Sequence, residues 1–128
     1  MRYLIDTHVF IWWNTDSKRL SHSVFALFQN RDNQIYLSLS SIWEMQIKIQ
    51  IGKMTLPAPL EKILEVQAEK NQIELLPIAL KHILTVDNLP LHHRDPFDRM
   101  LIAQAQFEHM GLISNDRVFA QYDIQVLW

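Results

Sequence analysis

Short apolar runs alternate with longer segments of helical periodicity along this chain of 128 residues. Residues 3–5 and 35–37 predict two buried strands, because strands that are covered on both faces are apolar at every position. Similar runs predict further strands at residues 73–76, 112–113 and 124–126. The chain is therefore expected to contain four to five strands, separated by segments that are long enough to form helices.

Helices are predicted between these strands, where apolar residues recur at every third or fourth position. The predicted helical segments are residues 9–13, 23–28, 60–70 and 79–86, together with a long helix that begins at Asp95. An aspartate followed directly by proline is typical of a helix start, since aspartate caps the first N–H groups and proline suits the first helical position. We therefore predict that Asp95 caps this helix. The alternative is that Asp95 supports the nearby functional site.

The segment after the second strand gives conflicting signals. Ser41 and Glu44 have the spacing of a capping box, which predicts a helix start, and Gly52 predicts the end of that helix. Apolar and polar residues nevertheless alternate from Met45 to Ile51, and this period of two favours a strand. We predict a helix here, because the signals at both ends favour it.

The alternation of strands and helices predicts a three-layer α/β/α fold with a central parallel sheet of four to five strands. A chain of this length is expected to form a single domain, covering residues 1–128. Ligands of open parallel sheets bind beyond the carboxyl ends of the strands. Residues that follow directly after the strands are therefore the first candidates for a functional site.

Four acidic residues stand where this fold would gather them. Asp6 directly follows the first strand, Asp116 lies just after the fourth, and Glu44 and Asp98 lie at predicted helix starts. Each acid alone has an ordinary structural explanation, as a helix cap, part of a capping box, a first-turn acid or a turn residue. Those separate roles do not explain why all four lie at the same end of the predicted sheet.

A cluster of four carboxylates is electrostatically costly. At a separation of about 6 Å and an effective dielectric of about 20, each pair of like charges repels by roughly 3 kcal/mol. Several such pairs rival the whole stability of a domain, which is about 5–15 kcal/mol. The acids must therefore be protonated, separated or neutralised by a cation, and neutralisation by a hard divalent metal is the functional interpretation.

The numbers of acidic and basic residues are compatible with an acidic pocket surrounded by a mildly basic surface. The chain has 12 basic and 14 acidic residues and a net charge of −2, which argues against a generic nucleic-acid coat protein. Without the four candidate acids, 12 basic residues face 10 acidic ones, a balance of +2. The surface around the pocket can therefore still attract a polyanion.

Several classes of protein are excluded by what the sequence lacks. The absence of cysteine excludes disulfides, zinc–thiolate sites and thiol catalysis. The only two glycines, Gly52 and Gly111, both follow predicted helices, as expected of helix ends, so glycine-rich phosphate loops are missing. No apolar run is long enough to span a membrane, and the first residues do not resemble a signal peptide. A cytoplasmic location is expected.

Basic and aromatic residues supply weaker candidates. The six histidines match no zinc motif. Trp12, Trp13 and Trp43 are expected in the core, although an exposed tryptophan could stack on a nucleic-acid base. A set of cations could contact phosphate, with packing or plain solvation as the alternative for each: His8, Lys48, Lys53, His93, Arg94 and Arg99.

Taken in order, these motifs resemble the PIN-domain ribonucleases and, within them, the VapC-type toxins of bacterial toxin–antitoxin pairs. Each motif alone is weak, but together they cover nearly the whole chain at a length typical of that family. Ser114 stands where the family often has threonine, and the hydroxyl is retained. The matching stretches are residues 4–8, 41–44 with Lys48, 52–53, 95–105 and 114–116.

The resemblance implies a metal-dependent ribonuclease that hydrolyses RNA phosphodiester bonds. It implies Mg²⁺ or Mn²⁺ held by the four acids, of which Asp6 and Asp98 are expected to contact the metal directly, while Glu44 and Asp116 complete the site directly or through water. Ser114 is expected to orient a ligand or a water molecule. The resemblance also implies a homodimer and a small antitoxin partner.

Two other functions remain open at this stage. One is a catalytically silent RNA-binding module with the same fold, although the presence of all four acids disfavours it. The other is a receiver-type phospho-signalling domain, which is also an α/β domain with strand-end acids and magnesium. The receiver interpretation is weak, because Thr7 rather than a second acid follows Asp6, and the second strand leads into Ser38.

Overall fold

All five strands of the central sheet run parallel. The computed structural model describes the whole chain, Met1–Trp128. The strands are β1 (Arg2–Ile5), β2 (Gln34–Ser38), β3 (Glu74–Leu76), β4 (Gly111–Ile113) and β5 (Val126–Leu127). Their order across the sheet is β3-β2-β1-β4-β5. The predicted parallel sheet of four to five strands is therefore confirmed.

Six α-helices connect and cover the strands, which confirms the predicted three-layer α/β/α architecture. Short 3₁₀ turns at Ser17–Arg19 and Arg117–Gln121 complete the structure. None of the helices combines the length and the apolar character needed to cross a bilayer. The helices are α1 (Thr7–Thr15), α2 (His22–Gln29), α3 (Leu39–Gln50), α4 (Leu60–Asn71), α5 (Leu80–Val86) and α6 (Pro96–Glu108).

The two faces of the sheet carry separate apolar cores, because side chains alternate along each strand. In β1, Tyr3 and Ile5 pack with residues of α1 to α4, such as Phe10 and Met45. Leu4 points the other way and packs with residues of α6 and the segment after β4. Full burial of a side chain of this size stabilises the fold by about 1.5–3 kcal/mol, so both layers hold the central strands in place.

Helix α3 is present as predicted, but its predicted start is wrong. Strand β2 runs straight into the helix, which begins at Leu39, and the Ser38 hydroxyl accepts a hydrogen bond from the Ser40 N–H at 3.0 Å. Ser41, the predicted cap, is buried inside the helix and accepts a hydrogen bond from the Thr7 hydroxyl at 2.9 Å. Ser41 therefore joins α3 to α1 and does not cap the start of α3.

The alternating pattern from Met45 to Ile51 does not form a strand. Helix α3 buries Ser41, Glu44 and Met45, which share one face at a spacing of three and four residues. Ile51 lies beyond the helix and is 59% exposed. The period of two was misleading because half of those apolar residues do not face the core.

Gly111 was wrongly predicted as a helix end. Helix α6 ends instead at His109, which adopts the left-handed conformation at a φ of 56°. Gly111 is the first residue of β4, and a Cβ atom there would lie 2.9 Å from side-chain carbons of both Leu127 and Tyr3. Glycine is needed at this position because β4 passes close to the side chains of β1 and β5.

We expect Gly111→Ala to destabilise the protein by about 1–3 kcal/mol, because the added methyl group overpacks the sheet. Thermal or urea unfolding monitored by circular dichroism measures the loss. Leu127→Ala should recover part of it in the double variant, since it removes one of the two clashing groups. Strictly additive losses in the double variant would contradict the proposed clash.

Candidate active site

The candidate site lies at the point where the sheet order reverses. The chain passes from β1 to β2 on one side, and β4 lies against the other side of β1. In parallel α/β sheets, such a point opens a crevice beyond the carboxyl ends of the strands. Asp6 directly follows β1 here, and Ser114 directly follows β4.

The carboxyl group of Asp6 is held by its neighbour across the sheet. Its backbone N–H donates to the Ile113 carbonyl at 3.0 Å, and the Ser114 hydroxyl donates to Asp6 Oδ2 at 2.8 Å. Asp6 precedes α1, but its side chain makes no capping hydrogen bond, although the backbone N–H of His8 lies near enough to favour its charged form. Capping of α1 alone therefore does not explain this aspartate.

Burial raises the pKa of Asp6 above the ordinary aspartate value. The residue is only 5% exposed, and a desolvated carboxylate is costly. The hydrogen bond from Ser114 and the charge of His8 lower the pKa, whereas the nearby charge of Glu44 raises it. Desolvation is the largest of these effects, so the Ser114 hydrogen bond and the His8 charge do not fully offset the cost of ionising the buried Asp6.

Glu44 reaches the same crevice from α3. The hydrogen bond between Thr7 and Ser41 fixes α1 against α3, and Glu44 lies three residues after Ser41 on the same helix face. Glu44 is 6% exposed and accepts a hydrogen bond from Lys48 Nζ at 3.0 Å. It lies in the second turn of α3, so the predicted role as half of a capping box is wrong.

Asp98 enters from the first turn of α6, as predicted. Asp95 Oδ1 caps that helix by accepting from the N–H groups of Phe97 at 2.7 Å and of Asp98 at 3.4 Å. Burial, together with the charges of Asp95, Asp6 and, less strongly, Glu44, raises the pKa of Asp98 to about 7, although His93 opposes the shift. The charges of Asp6 and Glu44 therefore both affect the protonation of Asp98.

Asp6, Glu44 and Asp98 thus meet at one end of the sheet, and we call these three side chains the acid pocket. Asp6 follows β1, whereas Glu44 and Asp98 lie on α3 and α6, at sequence separations of 38 and 54 residues between successive acids. The charges of Asp6 and Glu44 raise the pKa of Asp98, and the charge of Glu44 also raises the pKa of Asp6. The structure therefore brings these three side chains to the same end of the sheet, and their joint role as metal ligands stays a prediction.

Asp116 stands at the rim of the acid pocket rather than inside it. Its backbone N–H donates to the Ser114 hydroxyl at 3.1 Å, and this hydroxyl in turn donates to Asp6. Its own carboxylate accepts from the Val118 N–H at 3.0 Å and pairs with His93 Nε2 at 2.9 Å. Asp116 is thus coupled to the pocket through Ser114, while its oxygens already have protein partners.

Among the predicted site residues, His93 has the environment that differs most from the one expected from the sequence. It was predicted as a possible phosphate contact, yet its side chain is 9% exposed and stacks on Phe119 with ring centroids 4.5 Å apart. The Tyr122 hydroxyl lies 3.1 Å from Nδ1 and accepts from the His93 N–H at 2.8 Å. Tyr122 and His93 therefore fix the position of Asp116, and no local sequence signal indicated this contact.

Of the other predicted cations, Lys48 pairs with Glu44, three are exposed, and Arg99 is bound to backbone carbonyls. His8, Lys53 and Arg94 are exposed and remain candidates for contact with phosphate. Arg99 has a different role, because its guanidinium donates to backbone carbonyls at the end of α5 and in the loop before α6. The four acceptors and their distances are Val86 (3.1 Å), Leu89 (3.4 Å), Pro90 (2.9 Å) and His93 (3.5 Å).

The acid pocket suits a hard divalent cation by its chemistry. No group of three or more histidine, aspartate or glutamate side chains is arranged around a common metal position in the structure. The pocket nevertheless offers only carboxylate oxygens, the ligands that Mg²⁺ and Mn²⁺ prefer. A dication would supply the positive charge that the raised pKa values of Asp6 and Asp98 indicate is missing.

We expect Asp98→Asn to stabilise the metal-free protein more at pH 8 than at pH 5. The folded protein keeps a proton on Asp98 up to a pKa of about 7, whereas the reference value is 3.8. Between these values the folded state binds more protons than the unfolded state, so this group's contribution to stability falls as the pH rises. Asparagine removes that loss at high pH.

Thermal unfolding in EDTA at both pH values measures this difference. Asp32→Asn is the matched control, because Asp32 is exposed in a turn outside the pocket. A gain for Asp98→Asn that is equal at pH 5 and pH 8 would show that the Asp98 charge is not strained in the folded protein.

Comparison with known proteins supports the fold and identifies the family. No curated protein sequence matches this chain. Among solved structures, VapBC2 from Rickettsia felis, bound to a DNA fragment from its promoter, has a TM-score of 0.75 and 16% identity, covering 99% of this chain and 98% of that chain. VapBC-1 from nontypeable Haemophilus influenzae has a TM-score of 0.67 and 18% identity, covering 99% and 97%.

A third similar structure is VapBC-5 from Mycobacterium tuberculosis, a member of the VapBC family of toxin–antitoxin systems. It has a TM-score of 0.59 and 18% identity, covering 98% of this chain and 97% of that chain. At these identities the three structures establish a common fold. The sequence model of the PIN domain matches residues 3–125, which include all four candidate acids. The chain therefore belongs to the PIN domain family.

Proposed function

We propose that this protein is a metal-dependent endoribonuclease and the toxin of a toxin–antitoxin pair. The observation that carries the proposal is the acid pocket at the carboxyl edge of the sheet, where the charges of Asp6 and Glu44 raise the pKa of Asp98 and the charge of Glu44 raises that of Asp6. A protein gains no stability from such a cluster, so a function that requires it is the better explanation. Membership of the PIN family supports nuclease chemistry at this site.

The residues of the pocket would divide the work of holding Mg²⁺ or Mn²⁺. Asp6 and Asp98 would contact the ion, and Glu44 and Asp116 would complete the site. A bound dication supplies phosphodiester hydrolysis with two effects: it makes water more acidic, and it stabilises negative charge on phosphate oxygens. Ser114 holds the Asp6 carboxylate at 2.8 Å, so its role is to orient that acid.

The surrounding cations would receive the RNA backbone. His8 lies two residues after Asp6, and Lys48 already contacts Glu44, so both stand beside the pocket. Lys53 and Arg94 are exposed on the loops that follow α3 and precede α6. These side chains would offset the negative charge of the pocket for an incoming phosphodiester.

The rival interpretation as a receiver domain is wrong. Receiver domains have the sheet order 2-1-3-4-5, whereas this sheet has the order β3-β2-β1-β4-β5. The family match points to the same conclusion. A catalytically silent RNA-binding module with this fold is the alternative that a cleavage assay must exclude.

We expect Asp6→Asn and Asp98→Asn to abolish Mg²⁺- or Mn²⁺-dependent cleavage of RNA by the purified protein. The same variants should lose the rise in unfolding temperature that the metal gives the native protein, because they remove direct ligands. Cleavage is followed on a labelled RNA with and without EDTA, and circular dichroism verifies folding. RNA binding without any cleavage by the native protein would favour the silent module.

Partners are proposed from the solved structures and from the apolar surface. The similar structures carry the names of VapBC toxin–antitoxin systems, which supports a small antitoxin as the partner of this chain. Exposed apolar side chains along α5, namely Leu80, Ile83 and Leu84, provide surface for such a partner or for a homodimer. Exposed apolar clusters of this kind are typical of protein interfaces.

We expect induced expression of the protein in bacteria to arrest growth, and the Asp98→Asn variant to leave growth unaffected, because arrest requires RNA cleavage. Growth curves after induction measure the effect, and sequencing of RNA ends identifies the target. Co-expression of a small open reading frame adjacent to the gene should restore growth. Equal arrest by the native protein and the variant would reject the toxin mechanism.

A further inference from the structure

An exposed tryptophan ring and a partly buried phenylalanine ring form an aromatic pair beside two acids of the acid pocket. Trp43, which we predicted in the core, is 62% exposed. Its ring packs edge-to-face against Phe97, with centroids 5.6 Å apart and planes at 74°. Trp43 lies on α3 and Phe97 on α6, so the pair bridges the two helices.

Each ring is the immediate neighbour of an acid in the pocket. Trp43 precedes Glu44, and Phe97 precedes Asp98. Successive residues on a helix are about 100° apart, so an acid that turns inward leaves the preceding side chain at the edge of the pocket. The aromatic pair therefore adjoins the place where a phosphodiester would have to lie for hydrolysis.

The exposure of Trp43 has no structural benefit within the chain. Burial of a large aromatic side chain is normally among the strongest contributions to a core, and Trp12 and Trp13 of the same chain do pack against the core. The indole of Trp43 instead presents most of its surface to solvent. A ligand with a flat, uncharged face would recover the stabilisation that this exposure forgoes.

The charges of the protein also favour a stacking contact. The net charge is −2, the Lys48 ammonium pairs with Glu44, and the Arg99 guanidinium is occupied by backbone carbonyls. Attraction of phosphates by cations is therefore weaker than in a typical nucleic-acid-binding protein. Base stacking on aromatic rings is insensitive to this deficit, because it does not depend on net charge.

We propose that Trp43, supported by Phe97, is the platform on which an unpaired RNA base stacks beside the phosphate to be cleaved. The substrate is then single-stranded at that position, since a base inside a duplex has both faces covered by its neighbours. The proposal rests on the proposed RNA hydrolase function. Trp43 acts here as a positioning residue, because it contacts a base and not the reacting atoms.

The test measures binding of a labelled short single-stranded RNA by fluorescence anisotropy in EDTA, where no cleavage occurs. We expect Trp43→Ala to weaken binding by about 5- to 150-fold, the range typical of one lost stacking contact, and Trp43→Phe to restore most of the affinity. Phe107→Ala is the matched control. Phe107 is also an exposed aromatic residue, but it lies on α6 ten positions after Phe97 and therefore away from the acid pocket. Circular dichroism verifies that each variant is folded.

A second arm places a single abasic nucleotide at each position of the RNA in turn. At the stacked position the abasic site should weaken binding to the native protein and leave binding to Trp43→Ala unchanged, since both changes remove the same contact. Equal affinity of the native protein and Trp43→Ala for the intact RNA would overturn the platform. So would a change of oligomeric state in Trp43→Ala by analytical ultracentrifugation, because Trp43 would then belong to a protein interface.

These outcomes separate the platform from the hydrolase function. Binding that depends on Trp43, without metal-dependent cleavage by the native protein, would keep the platform and reject the ribonuclease. Metal-dependent cleavage that is equal for single-stranded and duplex RNA and independent of Trp43 would keep the ribonuclease and overturn the platform.

Discussion

The central constraint on this structure is that it must hold three acidic side chains close together in a largely buried site. Asp6 and Glu44 are almost fully buried, Asp98 is half-buried, and the charge of Glu44 raises the pKa of both aspartates. Only Glu44 has a close cationic partner, Lys48. The fold must therefore supply the stability that brings these groups together, and it does so through two apolar cores that clamp the central strands on both faces.

The precision of the site comes from short links between neighbouring elements. Ser114 joins the end of β4 to Asp6 after β1, and Thr7 joins α1 to Ser41 on α3. Asp95 sets the start of α6, which fixes where Asp98 enters the pocket. Each link is local, but together they determine the relative positions of acids that lie far apart in the sequence. Rigid elements, rather than flexible loops, thus carry the three acids of the pocket.

The fold and most of the site could be predicted from patterns that act locally. Apolar runs located the strands, and Asp95 with its following proline located α6, because these signals depend on neighbouring residues alone. The start of α3 was misplaced because Ser38 follows a strand without a loop, so the later hydroxyl of Ser41 gave a false cap. The burial of His93 and the exposure of Trp43 depend on contacts with distant elements, which a single sequence does not record.

Arg99 gives the loop between α5 and α6 its shape without a glycine or a disulfide. One planar guanidinium gathers carbonyl oxygens from residues 86 to 93, so the loop is wound around a side chain of the helix that follows it. Lysine offers no such fork and could not replace it. Substitution of Arg99 would consequently disturb this loop and the start of α6 without removing any of the candidate acids. An effect of such a substitution would therefore not show that the Arg99 side chain itself contacts a ligand.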